Sequence, residues 1–215
     1  MDRRAFLTGA AVATAAGAVP GLLQIRPAFA AAPAIGSAAP EFQLASATGE
    51  TVSLAQFKGK VVVLEWTNHD CPFVRKHYNG DNMQALQREA RDQGVVWLTI
   101  VSSPAGEQGH VTPAEAVSLS QSRKAVPAHV LLDPKGTAGR AYAAQVTPHM
   151  YVIDPQGQLR YMGAIDDKPS ANPESLKTAA NYVRPAMAAV LAGKTVDTPV
   201  TRAYGCTIKL APQTT

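Results

Sequence analysis

The run Val61-Val62-Val63-Leu64-Glu65-Trp66 constrains the fold of this chain more than any other stretch. It is apolar throughout except for Glu65 and shows no polar alternation, the pattern of a strand covered on both faces. Such a strand requires layers above and below it. After the short loop Thr67 to Asp70 comes Cys71-Pro72, and proline, lacking an N–H, suits the first position of a helix, so Phe73 to Tyr78 is predicted to form helical turns. Asn79-Gly80 interrupts. Asp81 is then predicted to cap a second helix, with Gln84 at capping-box spacing, Met83, Leu86 and Ala90 on one stripe, and Gly94 at its end. Val95 to Val101 is a second buried strand, which completes a βαβ unit.

The remaining text is read in the same way. Phe42 to Leu44 and Thr51 to Leu54 flank a turn at Thr48-Gly49-Glu50 and predict a hairpin. Thr112-Pro113-Ala114-Glu115 opens a helix to about Lys124. His129 to Leu132 is a strand, Gly139 to Ala144 a short helix, and Asp154-Pro155-Gln156-Gly157 the turn between strands Met150 to Ile153 and Leu159 to Met162. Asn181 to Leu191 is the last helix, and a polar tail carries Cys206. The order predicts one α/β domain: a central mixed sheet flanked by helices, with an N-terminal β-hairpin.

The amino terminus reads as a targeting segment. Arg3-Arg4 precedes an apolar run that ends in Ala28-Phe29-Ala30, the layout of a cleavable export signal of twin-arginine type. The expected organisation is a signal at 1–30, the domain at 31–195 and the Cys206 tail at 196–215. That implies a periplasmic or secreted protein, with no stable membrane insertion after cleavage because no later stretch approaches the roughly twenty apolar residues of a span. Two cysteines exclude a four-thiolate metal site within one chain. The formal charge of +4 comes without a basic run or an aromatic-interleaved patch, so no nucleic-acid partner is expected.

Cys71 is the residue best placed for chemistry. A cysteine between the end of a buried strand and the start of a helix meets the helix dipole and unpaired N–H groups, which stabilise thiolate over thiol. His69, Arg75 and Lys76 are close enough in sequence to add to that effect. Glu65 is either a buried proton acceptor near the sulfur or an outward residue paired with Lys or Arg. Asp166-Asp167 reads as a solvated turn before Lys168-Pro169. His69 and Cys71, with His110, His129 or His149 as a third ligand, are candidates for a copper site. Thr147-Pro148 precedes a strand and is a candidate cis bond.

Ala39-Pro40-Glu41-Phe42, Phe57 to Leu64, Cys71-Pro72 opening a helix, and Thr147-Pro148 before a hairpin together resemble the thioredoxin-like redoxin superfamily over residues 37–165. Trp66 to Val74 and the end Tyr204-Gly205-Cys206 look like a subgroup of exported redoxin-domain proteins. The resemblance implies a thioredoxin-like fold, Cys71 as the active cysteine and Pro148 as a cis-proline facing it. Two departures matter. The Cys-x-x-Cys of thioredoxins has Val74 at its second position, and the Pro-x-x-x-Thr-x-x-Cys of peroxiredoxins has Leu64 and Asn68 at its Pro and Thr positions, with Thr67 one residue out of register.

Cys71 must therefore find its partner elsewhere. Cys206 is expected to resolve a sulfenate or mixed disulfide on Cys71; a static disulfide and pairing between chains are the alternatives. The expected function is a thiol-disulfide oxidoreductase or thiol peroxidase. Thr147 and Pro148 shape its cleft, Asn68 or Thr67 donates hydrogen bonds, and Arg75 faces the sulfur. The expected partners are a protein disulfide or peroxide and an external thiol donor, with no cofactor. The alternative is a non-enzymatic redoxin module that binds copper or a partner protein.

Overall fold

The hairpin comes first: β1 (Gln43–Ser46) and β2 (Thr51–Ser53) pair with Leu44 opposite Val52. β3 (Val62–Trp66), α1 (Pro72–Asn79), α2 (Asn82–Asp92) and β4 (Val96–Val101) follow, then α3 (Pro113–Ser122), β5 (His129–Leu132), α4 (Thr137–Ala141), β6 (Val146–Thr147), β7 (His149–Ile153), β8 (Leu159–Gly163), α5 (Val183–Leu191) and β9 (Cys206–Thr207). This computed structural model describes residues 33–212, so the expected export signal lies outside the described residues.

Seven strands form one sheet in the order β2-β1-β5-β4-β3-β7-β8, with β3, β4 and β5 parallel and the other pairs antiparallel. The mixed sheet predicted from the sequence is present. Every residue of β3, β4 and β7 is buried, as continuous apolar strands require. Alternate side chains divide between two cores. Val62, Leu64 and Trp66 join Leu98, Ile100 and Tyr151 beneath Ala138 of α4 and Tyr142. Val61, Val63, Trp97, Met150 and Val152 lie on the other face against Val74 of α1, Leu86 and Ala90 of α2, and Val183 and Met187 of α5. Each large apolar side chain so buried contributes roughly 1.5–3 kcal/mol. The indole of Trp66 packs 5.2 Å from the rings of both Tyr142 and Tyr151, and its N–H donates to Ser102 at 3.0 Å.

Three local readings are corrected. Asp81 adopts φ +53 with no side-chain cap, because capping needs an extended backbone and the left-handed conformation turns the carboxylate away; it binds Arg88 instead. Gln84 makes no capping box and donates to the Tyr78 and Arg123 carbonyls at 2.8 and 2.7 Å. The short helix starts earlier than predicted, at Thr137, since the Asp133 carboxylate accepts the Thr137 and Gly139 amides at 2.8 and 2.9 Å.

The tail is packed onto the domain. Residues 199–211 run across the molecule as a bound strap. Met162 N–H donates to the Pro199 carbonyl at 3.0 Å, Thr201 N–H to Met162 at 3.1 Å, and Ile208 N–H to Gln145 at 2.9 Å. Between them β9 pairs antiparallel with β6, setting Cys206 opposite Thr147 and Thr207 opposite Val146. Glycine permits this approach at Gly205, where φ is +141 and a Cβ would overlap the Thr147 carbonyl. Gly205→Ala is therefore expected to lower stability by roughly 1–3 kcal/mol, read as a fall in thermal midpoint; an unchanged midpoint would show that the strap does not sit this close.

Candidate active site

The loop after β3 delivers Cys71 to the N-cap of α1. Asn68 shapes that loop: its side-chain oxygen accepts the Asp70 amide at 2.8 Å, its carbonyl accepts the Cys71 amide at 3.1 Å, and its amide reaches the Gln108 carbonyl at 3.5 Å. The sulfur of Cys71 has no exposed surface and donates to the Thr147 carbonyl at 3.2 Å. The Thr147–Pro148 bond is cis. Cys206 lies opposite Thr147 in the strand pair, and its carbonyl accepts from the Thr147 hydroxyl at 3.5 Å. Both cysteines are free thiols.

The two thiols sense each other. Burial pushes the Cys206 thiol up to about 12, helped by its hydrogen bond to Cys71. Cys206 is thus held as a thiol at neutral pH. The pairing comes from the fold alone, since 134 residues separate the two positions in sequence and no local signal joins them.

Other expected residues stand elsewhere. Arg75 is half exposed and donates to the His69 carbonyl at 3.3 Å and to Asp70 at 3.4 Å; its guanidinium makes no hydrogen bond to the sulfur. The donors of Asn68 are taken up by the loop. The Thr67 hydroxyl is buried without a partner and lines a small cavity with His69, Val101, Leu119 and Arg123. The candidate copper ligands are dispersed. His69 pairs with Asp70, His110 with the Ser103 carbonyl, His129 with Glu50, and His149 stacks on Tyr151 at 4.6 Å. Among the described residues no cluster of three or more His, Cys, Asp or Glu side chains is placed to hold a metal.

Glu65 is fully buried and has no basic partner. Its carboxylate accepts from Tyr78, Trp97 and Thr99 at 2.8, 2.9 and 3.1 Å, and burial outweighs these bonds, raising the carboxyl above its ordinary range. The reading of a surface strand residue paired with Lys or Arg is thereby corrected. So is the solvated turn at Asp166, which is 2 % exposed and faces Lys76, His77 and Tyr204. Sequence reasoning missed this cluster because its members come from three distant segments and each looks ordinary in its own.

A model of the AhpC/TSA family matches residues 35–162. No curated protein matches the chain. Among solved structures, an uncharacterized conserved protein from Geobacillus kaustophilus is 26 % identical with a TM-score of 0.72, over 84 % of this chain and 94 % of that one. A hypothetical protein from Sinorhizobium meliloti 1021 is 24 % identical with a TM-score of 0.71, over 85 % and 98 % of the two chains. A candidate thiol:disulfide interchange protein DsbE from Chlorobium tepidum is 23 % identical with a TM-score of 0.54, over 74 % and 99 %. The last two are likenesses of fold, and they agree with the thioredoxin-like architecture.

The buried histidines set a pH response. Burial holds His149 down to about 4 from an ordinary 6.5, and burial followed by the charge of Lys76 holds His77 down to about 3. Between these values and 6.5 the unfolded chain binds more protons than the folded one, so stability falls as pH drops through that window. Denaturant unfolding is expected to show the loss between pH 7 and 5, and His149→Gln to reduce it by about 2 kcal/mol. An unaltered difference in the variant would show that His149 is protonated in the fold.

Proposed function

Because the chain belongs to the AhpC/TSA family, we propose that it is a thiol-dependent oxidoreductase in which Cys71 is the nucleophile and Cys206 the resolving cysteine. The observation that carries this reading is the pair of thiols set against the Thr147 backbone, one buried at a helix N-terminus and the other protonated beside it. The helix N-terminus favours negative charge on Cys71. Thr147 and Pro148 form the wall behind its sulfur, while Asn68 and Arg75 contribute by shaping the loop that carries it.

The chemistry balances as two displacements. The Cys71 thiolate attacks one oxygen of a hydroperoxide, the O–O bond breaks, Cys71 becomes a sulfenic acid, and the departing oxygen leaves with a proton as alcohol or water. Cys206 then attacks the Cys71 sulfur. The S–O bond breaks, a disulfide forms, and the Cys206 proton leaves with the hydroxide as water. An external dithiol reduces the disulfide and is oxidised in turn, so no bound cofactor takes part. A hydroperoxide is favoured over a protein disulfide as oxidant because Cys71 has no exposed surface. The smaller the oxidant, the less residues 204–207 must move to admit it.

Residues 1–30 as an export signal would put this reaction in the periplasm or outside the cell, where an external thiol donor is needed to keep the pair reduced. Sequencing of the processed protein is expected to start at Ala31; a start at Met1 would remove the export reading.

With dithiothreitol as donor, the protein lacking 1–30 is expected to consume hydrogen peroxide. Cys71→Ser should lose turnover by about 10³-fold, and Cys206→Ser should accumulate a dimedone-reactive sulfenic acid at Cys71. Peroxide inertness together with reduction of insulin disulfides would identify a protein disulfide as the substrate. Inertness in both assays would favour the non-enzymatic module.

A further inference from the structure

Lys76, His77 and Asp166 form a socket with almost no solvent contact, their side chains being 0 %, 0 % and 1 % exposed. The phenol of Tyr204 fills it. Lys76 Nζ donates to the Tyr204 hydroxyl at 3.0 Å and to the Lys168 carbonyl at 2.9 Å, and lies 3.5 Å from the Asp166 carboxylate. The Tyr204 hydroxyl donates to Asp166 through a short hydrogen bond. His77 completes the set. Asn82 Nδ2, a donor, sits 2.8 Å from His77 Nδ1, which leaves the proton on Nε2, 3.3 Å from the Tyr204 oxygen. The phenol therefore gives one hydrogen bond and accepts two, its full capacity.

This arrangement is costly for stability alone. Buried charges lose hydration, and an apolar packing of the same volume would often serve as well. What the socket does supply is a fixed position. Lys76 and His77 belong to α1, the helix whose N-cap is Cys71, and Tyr204 stands two residues before Cys206. The ring of Tyr204 also packs edge-on against Phe73 of α1 at 5.7 Å and beneath Lys76 Nζ at 5.1 Å. Other restraints on the strap are slight there. β9 has two residues, and an open cleft of about 620 Å³ lined by Asp166, Tyr182, Arg202 and Gly205 flanks it.

We propose that Tyr204, locked by Lys76, His77 and Asp166, is the positioning residue that holds Cys206 in attacking range of Cys71. The inference rests on the two-cysteine reading above and adds what makes the second displacement fast. One helix carries both the first nucleophile and the anchor for the second, so the distance between the sulfurs is set by one rigid element. Loss of the anchor lowers the local concentration of the Cys206 thiol at the Cys71 sulfenic acid. It leaves the reaction of Cys71 with peroxide largely untouched.

The test separates the two steps in a single turnover with one equivalent of hydrogen peroxide. Loss of the Cys71 thiol is followed by quenched-flow alkylation, and growth of the Cys71–Cys206 disulfide by peptide mass spectrometry. Tyr204→Phe keeps the ring and removes the hydroxyl. It is expected to slow disulfide formation by at least about tenfold while slowing peroxide oxidation less than about threefold, with dimedone-trapped Cys71 as the accumulating species. Asp166→Asn reads the same split should Tyr204→Phe fail to fold. Equal slowing of both steps, or of neither, with a normal wild type overturns the positioning role and leaves the two-cysteine reading intact. A wild type that forms no Cys71–Cys206 bond overturns both.

Discussion

The site is organised by the backbone of Thr147. Its carbonyl accepts the Cys71 thiol, a Cβ on Gly205 would collide with that same oxygen, and its strand partner across the β6–β9 pair is Cys206. One peptide unit thus touches the N-cap of α1, the entrance to β7 and the carboxyl-terminal strap. A backbone carbonyl in such a place cannot be replaced by mutation of its own side chain. Its position is inherited from β7, which is buried along its whole length between β3 and β8. The packed centre of the sheet therefore fixes the carbonyl against which the Cys71 sulfur rests.

Two sets of buried polar groups make different demands. Glu65 sits among neutral donors from Tyr78, Trp97 and Thr99, so burial is opposed only by hydrogen bonds and the carboxyl is raised. Asp166 sits beside Lys76 and His77, where charge meets charge in a nearly dry space. Burial lowers Lys76 against the attraction of that carboxylate. The second set is sensitive to the loss of any one member, because the remaining charges would stay buried without a partner. This sensitivity suits a structure that must hold one segment in one place.

Much of the architecture was legible in the sequence. The apolar run at residues 61–66 and the Cys71-Pro72 helix start led to the central strand and α1, because each depends on neighbours a few residues away, whereas the cis bond at Thr147-Pro148 was implied by the redoxin resemblance. Capping at Asp81 was misread because its left-handed backbone follows from the turn at Gly80 and not from its own identity. The strap was read only as a polar tail carrying Cys206. Its docking turns on Gly205, a backbone pressed against another backbone, which no local pattern marks. The Lys76, His77, Asp166 and Tyr204 cluster left no trace in any periodicity, since its contacts span up to 128 residues.

The two-cysteine mechanism requires the folded chain to present Cys206 to Cys71 of the same molecule. Its most direct measurement is a peptide disulfide map of the monomer, oxidised at high dilution with one equivalent of peroxide and alkylated before digestion. A single intrachain Cys71–Cys206 crosslink is the expected result. Disulfide-linked dimers, or a Cys71 sulfinic acid beside an unmodified Cys206 thiol, would contradict it.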